Sequence, residues 1–286
     1  MRNERRVACA VMAVCALLGG CSRELPAERA AIAPREPMAA LTPTTASALA
    51  PTARASATSA AHGGAGVAVV ELFTSEGCSS CPPADRVLAG LTARAKADSL
   101  PVYTLSFHVD YWNYLGWRDR FSSSNYSERQ RGYSKINASG GTYTPQVVVN
   151  GEAECVGSDA SRIDDLIGSA LKRVPRTQIE LDAQRGAQGI EVGYRVSGAT
   201  AGRVLNLALL EPRAESQVEH GENAGERLAH VNVVRAFASR ALSAGNAGHW
   251  TLQAGPDFAA RRIGVVAYAE DASQRDISGA TALELP

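Results

Sequence analysis

The spacing of apolar and polar positions changes several times along this chain, and each change marks an element. Val67-Ala68-Val69-Val70-Glu71-Leu72-Phe73 is an almost unbroken apolar run and predicts a buried strand. Residues 81–97 then take helical spacing, with Val87, Leu88 and Leu91 as an apolar stripe. Pro82 and Pro83 suit only the first turn of that helix, where backbone N–H groups lack partners in any case. Residues 102–109 alternate and predict a second strand. Asn125 followed by Glu128 marks a helix start, and that helix runs through Arg129 to Ile136. Thr144-Pro145 opens a third strand, Gln146 to Val149, which ends at an Asn150-Gly151 hairpin turn and returns over 152–156. A last helix starts near Ser158 or Asp159 and buries Ile163, Leu166, Ile167 and Ala170.

Beyond Pro175 the pattern shortens. Alternating runs at 178–181, 190–196, 203–210, 228–237, 249–253 and 263–269 are separated by Gly-, Asn- and Ser-rich turns. They predict a mostly antiparallel, sandwich-like β domain over 176–286. Residues 22–65 are instead Ala, Pro, Thr and Ser with few large apolar side chains. Such a stretch buries too little surface to offset its ordering entropy, so it is expected to be a disordered tether.

The first 21 residues read as an export signal. Arg2, Arg5 and Arg6 precede an apolar stretch from Val7 to Leu18 that is too short to span a bilayer. It ends Leu17-Leu18-Gly19-Gly20-Cys21, which resembles a bacterial lipoprotein box with Cys21 as the lipidated residue. An ordinary secretory signal is the other reading. The expected location is the periplasm, with an outer-membrane lipid anchor as the sole membrane attachment. Of six cysteines, Cys9 and Cys15 then leave with the signal and Cys21 carries lipid. Cys78, Cys81 and Cys155 remain in a compartment where disulfides persist. One pair and one leftover is no disulfide scaffold, so the pair serves chemistry or a local staple. Lys+Arg and Asp+Glu balance at 29 each, and no basic run interleaves with aromatics, which gives nucleic-acid binding no support.

Candidate chemistry centres on Gly77-Cys78-Ser79-Ser80-Cys81-Pro82-Pro83, between the first strand and the first helix. Thiols at this spacing close a small disulfide ring or grip one metal ion. The positive end of a helix favours thiolate over thiol. Next to a strand–helix unit the motif reads as a thioredoxin-like redox site, and the order strand, helix, strand, helix, strand, hairpin, strand, helix is the thioredoxin order. The expected fold over 66–175 is therefore an α/β thioredoxin-like domain, with the β domain following. In such a fold Pro145 has a cis peptide and packs against the cysteine pair, while the Thr144 backbone faces a bound partner chain. Cys78 is expected as the exposed nucleophile and Cys81 as the buried resolving thiol. Glu71 is a candidate proton acceptor, although its register is off by one residue and a solvent-facing role stands beside it. His108 and Asp110, followed by Tyr111, Trp112 and Trp117, belong at a strand's carboxyl end beside the pair. Cys155 reads as a small buried hydrophobe; His220 and His230 fall in the β domain.

These strings also resemble a known family. The residues 70–85 around the cysteine pair, Ser106-Phe107-His108-Val109-Asp110-Tyr111-Trp112, Tyr143-Thr144-Pro145-Gln146 and Val156-Gly157-Ser158-Asp159 are similar to the secreted thioredoxin-like family catalogued as domain of unknown function 1223. Gly221-Glu222-Asn223-Ala224-Gly225 and the His230 string extend the likeness more thinly. The resemblance implies a thioredoxin-like domain followed by a β domain, and no established substrate. Three functions stay open at this point. The first is a thiol–disulfide oxidoreductase acting on periplasmic thiols or disulfides, with no organic cofactor. The second is a copper metallochaperone using Cys78, Cys81 and His108. The third is a non-catalytic binding module.

Overall fold

In the computed structural model of the protein, residues 54–58, 66–136, 141–242, 246–253, 255, 261–273 and 275–286 are described. The export signal, Cys21 and most of the expected tether lie outside them. β2 (Ala68–Thr74) is buried at every position, as a strand flanked on both sides and covered on both faces must be. β3 (Val102–His108) pairs with it in parallel, and β4 (Gln146–Val149) pairs antiparallel on its other side. Asn150 and Gly151 both take positive φ, 48° and 71°, so the Asn-Gly turn joins β4 to β5 (Ala153–Val156) as its residue types require. The Asn150 side chain also locks this turn to β2, accepting from the Val69 N–H at 2.7 Å and donating to the Val67 carbonyl at 2.8 Å.

Three helices accompany these strands. α1 (Pro82–Ala97) begins straight after Cys81 with its two prolines in the first turn. α2 (Ser124–Ile136) follows a short 3-10 turn at Asn113–Leu115. α3 (Ala160–Ala170) is capped by the Asp159 carboxylate, which accepts from the Arg162 N–H at 3.0 Å. Leu88 and Leu91 of α1 and Ile163 and Ile167 of α3 pack with Val70 and Leu72 of β2. Each such fully buried side chain is worth about 1.5–3 kcal/mol of transfer free energy. Among the described residues, no helix is long and apolar enough to cross a membrane.

The remaining strands are β1 (Arg54–Thr58), β6 (Thr177–Gly186), β7 (Gly189–Gly198), β8 (Arg203–Gln217), β9 (Arg227–Ala241), β10 (Ala247–Leu252), β11 (Ile263–Asp271) and β12 (Ile277–Leu285). They do not build a separate sandwich. β12, β11, β8 and β9 continue the sheet of β3, β2, β4 and β5, giving one eight-stranded sheet in the order β12-β11-β8-β9-β3-β2-β4-β5. β1, β6, β7 and β10 form a second, four-stranded sheet. Ile179, Leu181 and Val192 from the small sheet meet Leu205, Leu207, Leu209 and Val265 from the large one in a shared core.

The expected α/β thioredoxin-like domain followed by a β-sandwich-like domain is therefore overturned. The protein is mostly β, with two sheets and three helices among the described residues. The physical reason lies at the β3 edge. A free edge leaves backbone N–H and C=O groups unpaired, and here β9 comes alongside, meeting β3 in parallel at Ser106 and Val233. β8 and β9 are each 15 residues long, well beyond the expected runs at 203–210 and 228–237, so they reach from the small-sheet core to the cysteine site. β1 lies inside the stretch read as a tether, where it pairs antiparallel with β6.

Candidate active site

The cysteine loop is assembled from both halves of the chain. Cys78 and Cys81 are free thiols in direct contact, and both are 0% exposed. Cys78 is thus not the exposed tip expected from its place before the helix. Gly77 permits the close packing: a Cβ there would sit 3.1 Å from the Trp112 Cβ. The Thr144–Pro145 peptide is cis, and Thr144 donates its hydroxyl to Cys78 Sγ at 3.3 Å while accepting from Trp112 Nε1 at 2.8 Å. The Ser80 hydroxyl lies 3.2 Å from the same sulfur.

These contacts split the two thiols. Cys78 is pulled down to about 6, first by the hydrogen bond from Cys81; burial opposes this, and the Ser80 and Thr144 hydroxyls add to it. Burial pushes Cys81 far above the ordinary thiol range, and the adjacent Cys78 thiolate pushes the same way. The surroundings favour the thiolate at Cys78 and the protonated thiol at Cys81, which is the division of labour disulfide exchange needs.

Beneath the loop lies a buried polar cluster to which β9 contributes. His230 is 3% exposed, with Nε2 3.4 Å from Glu76 Oε1 and Nδ1 3.7 Å from Asp85 Oδ2. Burial works against its charge, but the Asp85 and Glu76 carboxylates prevail and raise it to about 10. Burial likewise works against ionised Glu76, yet His230 and Trp117 hold its carboxyl below the usual range. Trp117 Nε1 donates to Glu76 Oε2 at 2.7 Å, and the Glu76 N–H donates to Asp119 Oδ2 at 2.9 Å. Asp119 also engages His108 Nδ1 at 2.6 Å, and the His108 and His230 rings meet edge to face at 4.7 Å between centroids.

From above, the tip of the β8–β9 hairpin grips the loop. Asn223 Nδ2 donates to the carbonyls of Glu76 (2.8 Å) and Cys78 (3.0 Å). Glu222 Oε2 accepts from the Ser79 N–H at 2.9 Å. That bond holds the Glu222 carboxyl below its usual range.

The chain also supports a family assignment. The family model described as protein of unknown function (DUF1223) matches residues 69–270. The chain belongs to this family. A crystal structure of a protein from Agrobacterium tumefaciens is similar to it, at 30% sequence identity and a TM-score of 0.56, over 76% of this chain and 94% of that one. No curated protein matches the chain. The family match runs from β2 into β11 and takes in Cys78, Cys81, Pro145, Asn223 and His230.

The other sequence-predicted residues divide between near and far. His108 sits at the carboxyl end of β3, against Asp119, Phe121 and His230. Among the described residues, no group of three or more His, Cys, Asp or Glu is arranged to hold a metal, the Cys78–Cys81–His108 set included. Glu71 is committed elsewhere: it accepts two hydrogen bonds from Arg129, at 2.8 and 3.0 Å, and one from the Tyr268 hydroxyl. Arg129 also bonds Glu270 at 3.0 Å, so this buried cluster ties β2, α2 and β11 together. Asp110 accepts from the Ser127 hydroxyl and fixes the start of α2. The Tyr111 hydroxyl donates to Gln130 at 3.1 Å. Cys155 is half-buried on β5 opposite Val147, and burial raises it to about 11. His220 is exposed at the hairpin tip. Asn223, Glu222, Glu76, Asp85 and Asp119 were missed. The Gly221-Glu222-Asn223-Ala224-Gly225 string was the available signal, since polar residues between two glycines mark a shaped loop.

Proposed function

We propose that this protein is an exported thiol–disulfide oxidoreductase, with Cys78 as nucleophile and Cys81 as resolving thiol. The observation that carries the reading is a pair of free thiols in contact at C-x-x-C spacing, with the Ser80 and Thr144 hydroxyls and the cis Thr144–Pro145 peptide gathered at Cys78. These surroundings favour thiolate there and thiol at the more deeply buried Cys81. The Cys78 thiolate attacks a partner disulfide; the Cys78–partner S–S bond forms and the first partner thiolate leaves. Cys81 gives up its proton and attacks Cys78 Sγ. The Cys78–Cys81 bond forms, the second partner thiol departs, and two electrons have passed to the partner. The same steps in reverse oxidise a dithiol. Thr144 and Ser80 hold the thiolate, and Pro145 shapes the loop beside it. The electrons reside in the cysteine pair, so no organic cofactor enters the scheme.

The export signal and lipid attachment at Cys21 belong to the same proposal. They place the pair where thiols and disulfides of other exported proteins are its partners. A competing reading, a non-catalytic binding module, draws on the complete burial of Cys78. Trapping separates the two. In the full chain, Cys81→Ser leaves Cys78 unable to resolve and accumulates mixed disulfides with partner proteins, whereas Cys78→Ser accumulates none. Equal trapping by both variants, or by neither, would favour the binding module.

A further inference from the structure

Cys78 has no exposed surface, and the hairpin tip is what latches the loop that bears it. The latch has one charged member. Glu222 is exposed, and its carboxylate rests on the N–H of Ser79, one peptide bond from the Cys78 backbone. That separation lies well inside the Debye length of about 8 Å at physiological ionic strength. The tip carries two more exposed carboxylates, Glu219 and Glu226, while the nearby Arg227 is bound to Glu215. Among the described residues, no cationic side chain hydrogen-bonds to the Cys78–Cys81 loop. The acidic groups below it, Glu76 and Asp85, are buried against His230 in the interior and are not part of the surface an incoming molecule meets.

We propose that Glu222 is a specificity-determining residue, selecting partners whose reactive sulfur is flanked by a positive charge and rejecting those flanked by negative charge. The inference rests on the oxidoreductase reading of the same site. A cation beside the partner's sulfur pairs with the Glu222 carboxylate, takes it from the Ser79 N–H and loosens the tip over Cys78. An anion meets that carboxylate as a like charge. Attraction and repulsion of this kind act mainly on the association rate, and they weaken with salt. Asn223, whose amide binds two carbonyls of the loop, is a positioning residue for the same latch.

The test compares three small disulfides with the reduced full chain. Cystamine carries two ammonium groups, 2-hydroxyethyl disulfide is neutral, and oxidised glutathione is anionic. The readout is the rate at which the peptide bearing both Cys78 and Cys81 acquires its internal disulfide, followed by mass spectrometry. In the wild-type chain cystamine reacts fastest and oxidised glutathione slowest relative to the neutral compound. Glu222→Gln keeps the size and a hydrogen-bonding oxygen but removes the charge, and it narrows the cystamine-to-glutathione ratio by at least about three-fold, as does molar salt in the wild type. Glu222→Asp retains the preference. An unchanged ratio in Glu222→Gln, with all three disulfides reacting, overturns the specificity role while leaving the oxidoreductase reading in place. Failure of all three to form the Cys78–Cys81 disulfide overturns the oxidoreductase reading, and this inference falls with it.

Discussion

The side-chain amide of Asn223 donates to the carbonyl oxygen of Cys78 at 3.0 Å, joining residues 145 positions apart. The same nitrogen serves the Glu76 carbonyl, so one buried side chain fixes both ends of the segment entering the cysteine pair. Asn223→Ala takes the amide donor from the Glu76 carbonyl and leaves the Cys78 carbonyl with the Cys81 N–H alone, and is expected to cost about 1–3 kcal/mol. The urea midpoint falls, and Cys78 in the reduced chain is alkylated faster at fixed pH because the cover is loosened. An unchanged midpoint and alkylation rate would mean the clamp contributes nothing.

Thiol reactivity has a pH signature. With Cys78 drawn down to about 6, its iodoacetamide rate rises through that pH and levels off by neutrality, while Cys81 stays inert across the same range. Thr144→Val removes one hydroxyl from the thiolate. Hydrogen bonds to charged groups are worth about 1.5–3 kcal/mol, so the midpoint moves up by roughly one to two pH units. Site-resolved alkylation followed by mass spectrometry gives both numbers. Equal reactivity of the two cysteines would remove the asymmetry on which the mechanism depends.

Glu71 and the thiols are separable. Arg129→Met leaves Glu71 buried without its counter-charge and Glu270 with Arg275 alone, and is expected to destabilise the fold by about 3–5 kcal/mol. Glu71→Gln is milder, and it leaves the pH midpoint of Cys78 alkylation where it is in the wild type. A shifted midpoint in Glu71→Gln would return this residue to the site chemistry.

His230 gives the fold a basic-side pH dependence. Its value is raised in the folded state from an ordinary 6.5 to about 10. A raised value stabilises fully below the unfolded value and is lost as pH climbs through the folded one. Stability attributable to His230 is therefore intact at about pH 6 and declines between roughly pH 6.5 and 10. His230→Gln lowers the urea midpoint at pH 6 and flattens its fall towards pH 10. Parallel pH profiles for variant and wild type would contradict the assignment.

The local elements were legible because local rules set them. The proline-opened helix after Cys81, the Asn150-Gly151 turn and the Asp159 cap each follow from residue types within a few positions. The two thiols were legible for the same reason, whereas the cis Pro145 peptide was expected from a thioredoxin-like order, and Thr144 meets Cys78 across 66 positions of chain. What failed was the partition into a separate α/β domain and β domain, because sheet membership is a long-range property. Nothing near Ser106 indicates that Val233 will lie beside it. The same long-range pairing brings His230 under the cysteine loop and Asn223 over it, so half of the site was hidden in strands that read as ordinary β structure. Glu71 shows the converse case. A carboxylate in an apolar strand read as either a proton acceptor or a solvent-facing residue; it is buried, and its partners Arg129 and Tyr268 are 58 and 197 positions away.

The measurement closest to the central claim is the equilibrium redox potential of the Cys78–Cys81 pair, taken on the full chain in graded thiol buffers with site-resolved alkylation. The account predicts a reversible midpoint within about −120 to −270 mV, the span of exchange catalysts. A midpoint below about −300 mV, where structural disulfides lie, would contradict it and leave the pair as a staple within a binding protein.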